Sequence, residues 1–303
     1  MTTTNGHTEY VIFSDTSCGV DDVLSKKYDI CLMSVPIRVN GNDYYPYAEQ
    51  KPFDWGNFLG DLKETDRVHT WKLTPEDYKR YFRPLLEQGK DIVYIHFSGF
   101  GTNTFEVDLP SAIEELKKEF PKREIFAFDC KSVAQGALPI ILRAALMRLE
   151  NATMPQIKNY LETNVGKRVA YFIPENLSYL GKYGKVSGVA AFLGNSFKIR
   201  PILEAGTDGK MMVVAKFIGQ DLALSKKLLQ RMKKEGFPVD REIDVGYVDS
   251  RERGENFITS FSLMAKRMGE KPFKYTLTRI NPLHCGIIGP GAIGLAYALK
   301  KIV

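Results

Sequence analysis

The sequence predicts an α/β protein in two parts: a first domain over residues 1–165 built on a mainly parallel sheet, and a second over 166–303 built on a mixed sheet. Three observations carry that expectation. Strand, polar loop and helix follow one another three times before residue 150, the rhythm of a parallel sheet with helices on its faces. The runs Tyr10–Phe13, Asp91–Phe97 and Glu124–Phe128 are nearly continuous in apolar residues, as strands buried on both faces are. Past residue 165 the pattern changes, and KIRPIL and MMVVAKF flank the tight-turn dipeptide Asp208-Gly209. That arrangement predicts an antiparallel hairpin.

The elements follow in order. Residues 1–9 are polar, without the basic and apolar segments of a secretory leader, so a soluble cytoplasmic protein is expected. Tyr10–Phe13 is the first strand and runs into Ser14-Asp15-Thr16-Ser17. Those side-chain oxygens can cap the next helix, and a polar loop after a buried strand is also where such sheets place ligands. Asp21–Tyr28 reads as a helix. Ile30–Val39 is apolar but broken by Pro36, which places it toward a sheet edge. Asn40-Gly41 is a hairpin signal with Asp43–Tyr47 returning, and Phe53–Lys63 reads as a helix. Thr74 caps a helix opening at Pro75 with acids at 76 and 77; capping leaves Thr70 unexplained.

The strand Asp91–Phe97 ends in Ser98-Gly99-Phe100-Gly101-Thr102-Asn103-Thr104. Backbone N–H groups and hydroxyls in such a loop suit an anionic head group, although a plain turn into a helix at Ser111–Phe120 also accounts for it. Glu124–Phe128 feeds Asp129-Cys130-Lys131-Ser132 and a helix expected over Val133–Leu149, with another inside Asn151–Asn164. In the second half, Arg168–Ile173 is a strand. Leu177, Tyr179 and Leu180 lead into a glycine-broken turn at Gly181, Gly184 and Lys185, followed by a small-residue helix through Gly188 and Gly194. In the hairpin, Pro201 puts the first strand at an edge or its start near the proline. Asp221–Glu235 and Asn256–Met268 read as helices, Ile243–Val248 and Phe273–Ile280 as strands. Gly289-Pro290-Gly291 is expected to turn into a helix, which packing alone explains or whose N-terminus could hold an anion.

Composition bounds the function. With 303 residues, 44% hydrophobic, the chain can bury a core, and no apolar run approaches the roughly 20 residues of a membrane span. The net charge of +6 is spread over helix-like segments, which argues for solvated faces and against nucleic acid. The four cysteines and four histidines show no metal-ligand spacing. No Walker loop, dinucleotide fingerprint or nucleophile elbow occurs, so no cofactor and no catalytic set is implied. A binding site is the expectation. The alternative is an enzyme acting on a small phosphorylated or carboxylated metabolite, with anion contacts at Ser98 and the Gly289 turn.

Several segments point one way together. Phe13-Ser14-Asp15-Thr16-Ser17, Thr70–Pro75, Ser98–Thr104, Asp129–Ser132, the stretch Leu177–Lys210 and Gly289–Gly294 stand in this order along nearly the whole chain. The set resembles the DegV family, bacterial proteins of the fatty-acid-binding class. The resemblance implies a DegV-like two-domain fold with a long-chain fatty acid in a buried tunnel between the domains. It implies a carboxylate held by Thr70 and Ser98, with Gly99 and Thr102 in the same loop and Lys185 and His284 as further ligand contacts. Each buried methylene would contribute about 0.8 kcal/mol, so the chain supplies affinity and the head group orientation. Some family members present the fatty acid to a separate kinase subunit; they carry an Arg in a Gly-Gly-Arg turn and a His two residues before Gly-Pro-Gly. Here Lys185 replaces that Arg and Ile287 that His, with His284 three residues earlier. Lysine keeps the charge without the planar fork, and isoleucine offers nothing polar. The resemblance therefore implies a lipid carrier, with a kinase partnership in doubt.

Overall fold

A computed structural model describes residues 9–64, 68–97, 104–183, 199–205 and 211–299. The first sheet holds β1 (Tyr10–Asp15), β2 (Ile30–Met33), β6 (Asp91–His96) and β7 (Ile125–Asp129) in the order β2-β1-β6-β7, every pair parallel. All six residues of β1 and of β6 are buried. Alternation divides them between two cores. Val11, Phe13, Ile92 and Tyr94 face α3 (Pro75–Glu87) and α4 (Leu109–Glu119). Tyr10, Ile12, Val93 and Ile95 face α5 (Leu138–Leu149) and α6 (Met154–Asn164). On the first face the rings interlock edge to face, Phe13 against Phe82 at 5.0 Å and Tyr94 against Phe82 at 5.5 Å. α1 (Asp22–Tyr28) starts at the Asp21 cap, and α3 at the expected Thr74, whose side chain and that of Asp77 form a reciprocal capping box.

A small antiparallel sheet of order β4-β3-β5 lies beside it, from β3 (Ile37–Val39), β4 (Asn42–Tyr44) and β5 (Val68–Thr70). Asn40 and Gly41 make its hairpin turn with φ of 50° and 79°. α2 (Trp55–Glu64) packs over this unit.

The second half folds into six strands of order β10-β9-β8-β13-β11-β12, from β8 (Arg168–Ile173), β9 (Ile199–Ala205), β10 (Met211–Ile218), β11 (Glu242–Tyr247), β12 (Lys274–Arg279) and β13 (Ile293–Ala298). Only the β11–β12 pair is parallel. Its outer face is covered by α8 (Asp221–Glu235) and α9 (Arg251–Arg267). The β8–β9 ladder runs only from Leu203 to Ala205, so Pro201, near the start of β9, removes no donor from it.

Three expectations change. The helix predicted after Gly289 is the strand β13, with Ile293, Leu295 and Tyr297 in the outer core and the small Gly294 and Ala296 toward the first half. A side chain on Gly294 would meet Gln135 at 3.3 Å. The helix lies before the glycines instead: α10 (Pro282–Ile288), capped by Asn281 and ended by Gly289 at φ 78°. The helix predicted from Val133 starts at Leu138; Ala134–Gly136 form a 3-10 turn, Ala134 at φ 44°, wedged between the two sheets. The turn predicted from Gly181 begins as a helix, α7 (Ser178–Tyr183), because Tyr179 and Leu180 are buried and the Tyr179 hydroxyl bonds the Leu62 carbonyl at 3.1 Å. The small-residue helix at 188–194 and the Asp208-Gly209 turn lie outside the described residues. Among the described residues no helix is long and apolar enough to cross a membrane.

Candidate functional site

β1 and β6 run side by side and end together, so Asp15 and His96 meet at the carboxyl edge of the first sheet, the usual ligand side of such sheets. The Asp15 carboxylate accepts from the Ser17 backbone N–H at 2.9 Å, from the Ser17 hydroxyl and from the Tyr94 hydroxyl at 2.8 Å. His96 Nδ1 lies 3.1 Å from Asp15 and 2.8 Å from the Tyr94 oxygen. Burial drives the Asp15 carboxyl upward, but the bonds from His96, Ser17 and Tyr94 outweigh it and hold it below the ordinary carboxylate range. The Tyr94 proton goes to Asp15, so both oxygens beside Nδ1 are acceptors and that nitrogen carries the hydrogen. Nε2 is left over: it is buried and has no hydrogen-bond partner among the described residues. The ring lies flat against Phe105, 5.5 Å away at 13°, and touches Phe97 at 4.6 Å.

The opposite wall is the first turn of α10. Asn281 Oδ1 accepts from the His284 backbone N–H at 3.0 Å and from His284 Nδ1 at 2.9 Å. Its Nδ2 donates to the Ser17 carbonyl at 2.9 Å, which ties α10 to the end of β1. His284 stacks on Phe172 of β8 at 6.0 Å and 12°. Burial pushes its pKa down to about 4, against the opposing pull of the Asp15 charge, so the ring is neutral near pH 7.

Two predicted site residues are therefore placed. Thr70 ends β5, half-buried, with no hydrogen-bond partner for its hydroxyl among the described residues. β5 touches α10: a side chain on Gly286 would meet Ile37 at 2.6 Å and Val68 at 3.0 Å. The strand of Thr70, the helix of His284 and the Asp15 loop thus gather at one place. Ser98, Gly99, Thr102 and Lys185 lie outside the described residues. Ile287 is buried in α10. The Gly289 turn is corrected: it follows the carbonyl end of α10, which repels an anion. A side chain there would also strike the Tyr179 ring at 2.4 Å.

An apolar groove of about 490 Å³ runs between α4 and the edge strand β7, lined by Phe105, Leu109, Ile113, Ile125 and Ala127. Phe105, one of its lining residues, is the ring that lies flat against His96. A larger groove of about 630 Å³ between α5 and α6 is rimmed by Arg143, Glu150 and Gln156 and lies away from these residues. Among the described residues no group of three His, Cys, Asp or Glu side chains could hold a metal.

Sequence reasoning flagged the Asp15 loop but missed Tyr94 and His96. The signal was present: two polar side chains two apart in an otherwise apolar buried strand share one face and need partners there.

A parallel four-stranded sheet, a mixed six-stranded sheet and a small antiparallel sheet, all flanked by helices, define an α/β protein. The chain belongs to the DegV family: the family model described as "Uncharacterised protein, DegV family" matches residues 9–300. A DegV domain-containing protein of Clostridium perfringens is 26% identical over 252 residues, 82% of this chain and 84% of that one. The structure of a DegV family protein from Thermus thermophilus, described by its fatty acid binding, matches with a TM-score of 0.75 at 18% identity. It covers 96% of this chain and 100% of that one. A DegV family protein from Eubacterium eligens, loaded with heptadecanoic acid, matches with a TM-score of 0.76 at 17% identity and the same coverage. At these identities the two structures establish the shared fold.

Proposed function

We propose that this protein binds a long-chain fatty acid between its two α/β domains, divided near residue 165, and serves as a lipid carrier. Thr70 and Ser98 donate to the carboxylate, Gly99 and Thr102 complete that loop, and Lys185 and His284 complete the head-group surroundings. The acyl chain lies in apolar surroundings between the domains. The observation that carries the reading is the end of β5: the Thr70 hydroxyl, without a partner among the described residues, sits on a strand packed against the helix that holds His284. Family membership supports it, as do the fatty acids in the names of the Thermus and Eubacterium structures.

The test is organic extraction of the purified protein with mass spectrometry, followed by binding measurements. A co-purifying fatty acid is expected. Thr70→Ala and Ser98→Ala should each weaken binding by about 1.5–3 kcal/mol, the worth of a bond to a charged group. Unchanged affinity in both variants would place the head group elsewhere.

A fatty acid kinase is the partner whose role this chain fills poorly. Phosphoryl transfer needs a positioned acceptor oxygen and fixed charge. Lys185 supplies a point charge without a bidentate fork, and Ile287 is a buried apolar residue of α10. Acyl phosphate formation should be weak in the natural protein and rise in the double variant Lys185→Arg, Ile287→His. Full activity in the natural protein would refute this and point to His284. The enzyme alternative loses its second anion contact, because the Gly289 turn stands at a helix carboxyl end.

A further inference from the structure

We propose that His96 is the residue that reads the acid end of the ligand, sharing one proton between its Nε2 and the ligand carboxyl group, while Asp15 and Tyr94 hold the ring from behind. This rests on the fatty-acid reading above and adds a residue to it.

Geometry comes first. His96 is 1% exposed, and its Nε2 is a buried polar atom with no partner among the described residues. Such an atom costs free energy unless something pairs with it. Its position is fixed on every other side. Nδ1 is bound to Asp15 and Tyr94, and the faces of the ring are held by Phe105 and Phe97. Phe97 and Thr104 are the described residues on either side of 98–103. Phe105, whose ring lies against this imidazole, also borders an apolar groove.

Electrostatics select the head group. The titratable groups gathered around this pair are Tyr94 on its own strand, Cys18 after β1, Tyr78 on α3, Cys130 after β7 and His284 on α10. Among these described groups only the two histidines can carry positive charge, and His284 is neutral near pH 7. Asp15 is already a buried anion. A second carboxylate beside it is tolerable only if it comes with a proton, either on the acid or on Nε2. The two descriptions have the same proton count, and in both a hydrogen lies between Nε2 and a carboxyl oxygen. An alcohol can donate to the neutral ring but cannot form the charge-assisted bond, and an ester has no proton to share. The site therefore prefers a free acid to a neutral lipid of equal chain length.

The test compares palmitic acid with hexadecanol, two ligands of equal chain length, on the full-length protein. The wild type should bind the acid more tightly by on the order of tenfold to a hundredfold. In His96→Gln that preference should collapse while hexadecanol affinity holds. A structural role alone would weaken both ligands equally and leave the ratio intact, which would overturn the proposal. If the variant does not fold, the wild type still decides. With nitrogen-15-labelled histidine, the His96 Nε2 resonance should shift on adding palmitic acid and barely move with methyl palmitate. An Nε2 signal indifferent to palmitic acid at saturation would equally sink the idea. Failure of the wild type to bind palmitic acid or hexadecanol would instead defeat the fatty-acid reading, and this inference with it.

Discussion

Two buried histidines, one at the end of the first sheet and one in α10, are each stacked on a phenylalanine, and the two are wired differently. On the floor, His96 directs Nδ1 to an ionised carboxylate and leaves Nε2 without a partner among the described residues. On the opposite wall, His284 directs Nδ1 to the neutral amide of Asn281. Burial disfavours the charged form of His284. Only the floor returns an opposite charge at hydrogen-bond distance. The same side chain thus stands beside a fixed anion in one place and is held as a neutral ring by an amide in the other.

The largest effect should come from removing the anion. Asp15→Ala strands the hydroxyls of Ser17 and Tyr94 and the Nδ1 hydrogen of His96 in a dry site, and should cost about 3–5 kcal/mol. Urea unfolding measures it; a loss under about 1 kcal/mol would show that Asp15 is not the hub of the floor.

His284 gives the next effect, through pH. Its unfolded pKa is near 6.5 and its folded pKa about 4, so the unfolded chain takes up the proton first. Stability is therefore full above about 6.5 and falls as pH drops toward 4, by roughly 3 kcal/mol. Asp15 behaves as a depressed carboxylate, so its contribution is lost lower, as pH falls below the ordinary carboxylate value through its folded pKa. Unfolding of the wild type and His284→Gln between pH 7.5 and 4 separates the windows. Equal slopes in the two proteins would break the contrast between the walls.

Asn281→Ala should cost roughly 2 kcal/mol, because it deletes the cap of α10 and the bond to the Ser17 carbonyl together. Hydrogen exchange at the His284 amide should quicken; an unchanged rate would mean the cap is dispensable. The smallest effect should be Tyr94→Phe, about 1.5 kcal/mol for one bond to a carboxylate. His96 still braces Asp15 in that variant, so a loss as large as that of Asp15→Ala would contradict the arrangement.

Legibility followed sequence distance. The Thr74 box, the Asn40-Gly41 turn and the buried strands Tyr10–Asp15 and Asp91–His96 were readable because each depends on residues a few positions apart. The turn at Ala134 was not, since its left-handed backbone lies against strands of the second sheet far along the chain. Of the candidate site, Thr70 and His284 could be named from the resemblance, but the environment that decides the charge of His284 is made by β8 and the Asp15 loop.

The sequence by itself determined most of the strands and helices before residue 165, the hairpin of the second half and the family, because periodicity, caps and turn residues act locally. Only the tertiary structure decided the direction of the Gly289 turn and the floor of the site. GAIGLAYA carries small residues that suit a helix, but Ile293, Leu295 and Tyr297 find a sheet core on one side and Gly294 a close neighbour on the other. His96 meets Asp15 across 81 positions, and Asn281 reaches Ser17 across 264. No local pattern encodes such pairs. They exist because parallel strands end side by side and because a buried polar group persists only where the fold brings it a partner.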